Sequence, residues 1–156
     1  MNLNLENKTA FVCGSTQGIG KAAALEMAQL GATIVLVARS EDKLKQVLTE
    51  LPTPAGQKHS YIAADFSQPT ILKELVEKKV AEGTTCHILV NNTGGPKGGP
   101  IREAAIDEFY DTFTQHLVCN HVLVQALWPL MKENGYGRII NIISTSVKQP
   151  LPNLGV

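Results

Sequence analysis

The stretch Gly14-Ser-Thr-Gln-Gly18-Ile-Gly20 limits the fold of this chain more than any other. Thr9-Ala-Phe-Val-Cys13 before it has the length and apolar character of a buried strand, and Lys21 to Leu30 behind it carries a helical pattern. Strand, glycine turn and helix in that order let a backbone turn sharply and approach a ligand closely. They also aim a helix N-terminus, with its free N–H groups and positive dipole end, at an anion. The spacing is GxxxGxG, whereas the general dinucleotide fingerprint is GxGxxG. Three glycines alone are equally a plain tight turn; the strand before and the helix after favour a nucleotide phosphate site. Gly14, Ser15, Gln17, Gly18, Ile19 and Gly20 are therefore the candidate phosphate contacts.

The remaining pattern alternates strands with helices. The expected strands are Thr9 to Cys13, Thr33 to Ala38, Tyr61 to Ala64, Ile88 to Val90 and Arg138 to Ile143. The expected helices cover Ile19 to Leu30, with Gly31 as its stop, and Ser40 (as N-cap) to Leu51; a third starts after Ser67 and Pro69 and runs to Glu82. A long helical region spans Ile106 to Glu133. The continuous apolar run of Thr33 to Ala38 suits a strand covered on both faces. In the third helix Leu72, Leu75, Val76 and Val80 share one side. Such alternation implies a parallel sheet, and right-handed crossovers make it doubly wound: an α/β, Rossmann-like fold.

With 156 residues the chain is expected to be one domain with a real core. Lys plus Arg equal Asp plus Glu, 14 each, which argues against nucleic acid or an anionic membrane as main partner. No apolar run reaches the ~20 residues of a membrane span. Met1 to Lys8 is polar, so no signal peptide is expected. Cys13, Cys86 and Cys119 lie far apart, each in an apolar run. They read as buried reduced thiols of a cytoplasmic protein. His59, His87 and His121 show no metal spacing and read as surface or packing residues; no metal is expected.

Four motifs in order carry a family resemblance over nearly the whole chain. They are Gly14, Gly18 and Gly20; Asp65 after the third strand; Asn91-Asn-Thr-Gly94 after the fourth; and Gly137-Arg-Ile-Ile-Asn-Ile-Ile-Ser144. Together they resemble the short-chain dehydrogenase/reductase family, of the classical, 3-oxoacyl-ACP-reductase-like type. The resemblance implies that Asp65 holds the adenine amine, that Asn91 and Gly94 border the cofactor, and that Ser144 is the catalytic serine. Thr93 stands where the family pattern has Ala. Physical alternatives stand beside each role. Asp65 equally suits a loop cap, Asn91 and Asn92 suit turn chemistry, and Ser144 suits a polar strand exit. All of these residues nevertheless fall at carboxyl ends of strands, where open α/β sheets bind ligands.

The cofactor choice follows from Ala38-Arg39-Ser40. NAD sites place an acid at the end of the second strand, whereas NADP sites drop it and add an Arg. Ala38 occupies the acid's slot, and Arg39 offers a planar fork for a 2′-phosphate, which favours NADP(H). Gln17 points slightly the other way, because NADP-preferring relatives often carry a basic residue in that turn.

The resemblance further implies a small-molecule carbonyl or alcohol substrate, a homo-oligomer, and a catalytic tyrosine and lysine after the serine. The tyrosine slot falls just past Val156; Tyr61, Tyr110 and Tyr136 all precede Ser144. The chain is therefore expected to be the first part of a longer reductase, cut after about five strands. A nucleotide-binding fragment without turnover and a sensor-like relative remain as alternatives. His116 occupies the family's helical asparagine position, which puts the usual proton relay in question. Thr93 to Pro100 is either one wall of a substrate pocket or a flexible loop. The fifth strand should be an apolar edge. Val118, Val122, Leu123, Ala126 and Leu130 should leave the long helix with more apolar surface than one sheet face covers.

Overall fold

A computed structural model describes residues 3–149 and 151–154. Met1 and Val156, the ends of the expected domain, lie outside the described residues. Five parallel strands form one sheet in the order β3-β2-β1-β4-β5. They are β1 Thr9–Cys13, β2 Thr33–Ala38, β3 Ser60–Ala63, β4 Ile88–Asn91 and β5 Arg138–Asn141. The helices are α1 Gly18–Gln29, α2 Glu41–Glu50, α3 Pro69–Ala81, α4 Ile106–Phe113 and α5 Cys119–Glu133. The expected α/β, doubly wound, Rossmann-like architecture is what the chain adopts.

Alternation along the strands builds two cores. Phe11, Cys13, Val35, Val37 and Leu89 meet Leu72 and Val76 of α3 and Cys119, Leu123 and Leu127 of α5. On the other face Ala10, Val12, Ile34, Leu36, Ile88 and Val90 meet Ala24 and Ala28 of α1 and Leu44 and Val47 of α2. The three central strands are thus covered on both sides, which is why they read as unbroken apolar runs.

Boundaries differ from expectation where tertiary pairing decides them. β3 begins one residue early, since Ser60 pairs with Val35. β5 stops at Asn141 rather than Ile143 because its partner β4 ends at Asn91; the Ile142 N–H still bonds the Asn91 carbonyl, at 2.9 Å. Gly31 ends α1 with φ 97°. Ser40 stands at the N-cap of α2, but its hydroxyl makes no capping bond; Glu41 and Asp42 supply negative charge in the first turn instead. The long helical region is continuous but carries a π-helical turn, Thr114–Val118, between α4 and α5. No helix is long and apolar enough to cross a membrane among the described residues.

Two histidines fasten the amino edge of the sheet. β1 and β4 first pair at Ala10 and Ile88. The residue before each, Thr9 and His87, adds a rung: the Thr9 N–H donates to His87 Nδ1 at 3.0 Å. β2 and β3 first pair at Val35 and Ser60, and the Ile34 N–H donates to His59 Nδ1 at 3.0 Å. Each imidazole thus accepts a strand N–H that the ladder leaves open. His59 Nε2 meets the Pro52 carbonyl at 3.0 Å. These residues are more than the packing histidines expected from sequence.

Candidate functional site

The sheet order reverses between β1 and β4, and a cleft of about 470 Å³ opens at the carboxyl ends there. Its lining comes from every strand exit on that side except that of β5: Gly14 and Thr16 to Ile19, Ala38 and Arg39, Asp65 and Phe66, and Asn92 to Gly95. Gln115, from the π-helical turn, closes the far side.

The glycine turn is held by close approach. A Cβ on Gly14 would lie 2.5 Å from the Asn92 carbonyl oxygen, and Gly14 has φ +58°. A Cβ on Gly20 would collide with the Gly14 carbonyl. The turn, the start of α1 and the β4 exit are therefore packed backbone to backbone. Asn92 Nδ2 reaches the Cys13 and Gly14 carbonyls at 3.3 and 3.5 Å. Behind the turn, α1 starts with no capping side chain and no acid in its first turn. The first intrahelical N–H to find a partner belongs to Lys21, which bonds the Gln17 carbonyl. The N–H groups of Gly18, Ile19 and Gly20 and the positive helix end stay available to an anion.

Around this turn the other exits supply charge. Arg39 lines the cleft, and among the described residues no carboxylate pairs with it. Asp65 accepts the Ser67 N–H on Oδ1 at 2.9 Å, so one oxygen caps the loop as its alternative role proposed. No group of three or more His, Cys, Asp or Glu side chains arranged for a metal occurs among the described residues. The three thiols are buried and unpaired; burial pushes Cys13 and Cys86 up to about 12 and Cys119 up to about 11. At neutral pH they are inert as nucleophiles.

The short chain dehydrogenase family model matches residues 8–156. The chain belongs to the short-chain dehydrogenase family. It is 30% identical over 151 residues to NADPH-dependent reductase BacG of Bacillus subtilis, covering 96% of this chain and 58% of that protein. It is 34% identical over 151 residues to the very-long-chain 3-oxoacyl-CoA reductase of Bos taurus, covering 94% and 48%. The crystal structure of L-sorbose reductase from Gluconobacter frateurii, complexed with NADPH and L-sorbose, superposes with TM-score 0.89 at 33% identity. That match covers 97% of this chain and 57% of the reductase. The chain spans about half the length of the curated relatives it matches.

In this short-chain dehydrogenase chain the candidate residues divide into two groups. Gly14, Gln17, Gly18, Ile19, Arg39, Asp65 and Gly94 line the cleft. Ser15, Gly20, Asn91 and Ser144 do not. Ser15 is fully buried and its hydroxyl faces the Val37 carbonyl at 3.5 Å, tying the turn to β2. Asn91 is buried in β4, where Nδ2 donates to Asn141 Oδ1 at 2.9 Å. It is the second asparagine, Asn92, that touches the turn. Ser144 lies past β5, exposed, with its Oγ 2.6 Å from Ser146 Oγ and accepting the Ser146 N–H at 3.1 Å. Thr16, Phe66, Asn92, Thr93, Gly95 and Gln115 line the cleft beyond the contacts expected from sequence. Asn92 to Gly95 were legible as a strand exit; nothing in the sequence marks Gln115, a polar residue inside a helix.

Proposed function

We propose that this chain is the dinucleotide-binding part, residues 1–156, of an NADP(H)-dependent oxidoreductase that reduces a small-molecule carbonyl or oxidises an alcohol. The observation that carries the cofactor choice is Arg39 in the cleft wall, paired with no carboxylate among the described residues, next to Ala38 where an NAD site would hold an acid. The NADPH complex of L-sorbose reductase and the NADPH-dependent reductase BacG, both similar to this chain, support it.

Gly18, Ile19 and Gly20 present their N–H groups to the pyrophosphate. Arg39 forks onto the 2′-phosphate, and the oxygen of Asp65 not used by Ser67 accepts from the adenine amine. When bound, the nicotinamide supplies or accepts the hydride. The Ser144 hydroxyl, now shared with Ser146, is the group assigned to orient the substrate oxygen. The three buried thiols suit a reducing compartment, and the cytoplasm is the proposed location.

Calorimetric titration of the chain with NADPH and NADH tests the cofactor. A charge-assisted pair is worth about 1.5–3 kcal/mol, so NADPH is expected to bind about 10- to 150-fold tighter. Ala38→Asp with Arg39→Ser should reverse the order. Equal affinities would sink the assignment. A second possibility, nucleotide binding without turnover by the isolated chain, is favoured by the exposed Ser144–Ser146 pair and by the position of all three tyrosines before Ser144. No NADPH-linked carbonyl reduction is expected from residues 1–156 alone; turnover lost on Ser144→Ala would show otherwise.

A further inference from the structure

The glycine-rich exit of β4 is tied to the helix that faces it by one side-chain pair. Thr93 Oγ1 lies 2.7 Å from His116 Nδ1. Thr93, Gly94 and Gly95 form one wall of the cleft, and Gln115, the neighbour of His116, forms another. Three residues on, Cys119 Sγ–H donates to the Phe66 carbonyl at 3.0 Å, and Phe66 is also a wall residue. One stretch of helix, the π-helical turn and the residue after it, therefore grips the exits of both β3 and β4.

The π-helical turn supplies the reach. Its backbone stays in the right-handed region through Phe113, Thr114, Val118 and Cys119. A π turn holds one residue more than an α turn, so it bulges the helix locally without breaking it. The bulge contains Gln115 and His116. Cys119, Leu123, Leu127 and Met131 then continue as the buried side of α5.

Thr93 begins a segment containing Gly94, Gly95, Gly98 and Gly99. Added Cβ atoms at Gly94 and Gly95 would meet nothing within 4 Å, so packing does not fix these residues. Glycine loses more backbone freedom on ordering than any other residue, and a wall ordered only on binding subtracts that loss from affinity.

We propose that His116 is a positioning residue. Its hydrogen bond to Thr93 preorganises the Thr93–Gly95 wall of the nucleotide cleft and thereby sets nucleotide affinity. The proposal rests on the cleft being a nucleotide site. Thr93 on the strand exit and His116 on the helix thus act as one device, the hydroxyl of one meeting the imidazole of the other.

The test is NADPH affinity of the full chain, with melting temperature recorded alongside. Thr93→Val and His116→Ala should each weaken NADPH about 5- to 20-fold, and the double variant should be no weaker than either single one. Thr93→Ser keeps the hydroxyl, and His116→Asn keeps a polar atom at the distance of Nδ1 from the backbone; both should bind within about twofold of the unaltered chain. Unaltered affinity in Thr93→Val and His116→Ala, or additive losses in the double variant, overturns the proposal. Imidazole ¹⁵N shifts of His116 in the unaltered chain provide a measurement that needs no variant. One fixed tautomer is expected without nucleotide; a rapidly exchanging mixture overturns the clasp. If the unaltered chain binds no NADPH while His116 shows one tautomer, the nucleotide reading fails, and with it the link from clasp to affinity, but the hydrogen bond stands.

Discussion

Gly14 shows how much one missing side chain decides. Its φ of +58° suits glycine, and the Asn92 carbonyl and amide stand where a Cβ would go, at 2.5 and 2.7 Å. Gly14→Ala is expected to cost about 1–3 kcal/mol from the backbone conformation alone, and more from displacing Asn92 and the cleft wall beside it. Urea unfolding should show a lowered midpoint, with NADPH binding weakened at least tenfold. Gly94→Ala is the control: its backbone is not in the left-handed region and its Cβ space is open. A change within about 0.5 kcal/mol is expected there. Equal midpoints for Gly14→Ala and the unaltered chain would contradict the packed-turn account.

Between strands, the seams at the amino edge depend on protonation. His87 must be neutral at Nδ1 to accept the Thr9 N–H. Its pKa is held below the ordinary 6.5, first by burial and then by the Lys8 charge. Lys8 and Arg138 each lie 4.6 Å from the centroid of Tyr136, whose ring is 6.2 Å from that of His87, so the charges placed around that ring are positive. The unfolded chain takes up the proton first as pH falls. The His87 contribution is therefore whole above about pH 6.5 and lost progressively below it. His87→Ala leaves a buried N–H without its acceptor, a cost of about 1–3 kcal/mol near neutral pH. The gap between unaltered chain and variant should narrow from pH 7.5 to pH 5 in urea midpoints. A constant gap would rule out this protonation linkage.

Across the whole molecule the surplus of apolar surface is larger than the core can use, and it lies elsewhere than the periodicity suggested. Leu123 is buried, and Val118, Val122, Ala126 and Leu130 are partly buried. The exposed stripe is Ile106, Phe109, Tyr110, Phe113 and Leu117; Trp128 and, on opposite faces of β5, Ile139 and Ile140 are exposed as well. A fully buried side chain of this size is worth about 1.5–3 kcal/mol. Covering the stripe on two copies is therefore comparable with a domain's whole stability of about 5–15 kcal/mol. Self-association through α4 is expected at micromolar concentration in sedimentation experiments, as a homo-oligomer of this chain. Phe113→Asp with Leu117→Asp should shift it toward monomer by an order of magnitude or more in dissociation constant. A sharp monomer for the unaltered chain would refute the interface.

The sequence by itself determined the strands, the helices, the glycine turn and the strand exits that form the cleft. Each of these rests on local chemistry: apolar periodicity, missing Cβ atoms, or an Arg in place of an acid. Arg39 and Asp65 were legible because strand ends in a parallel sheet converge on one edge. Only the tertiary structure decided that Asn92 rather than Asn91 braces the turn, and that Gln115 faces the cleft. It alone joined Thr93 to His116, and made latches of His59 and His87 where sequence suggested packing. These pairings link residues 23 to 79 positions apart. No local pattern encodes such distances; they exist only after the sheet order and the π-helical turn have brought the elements together.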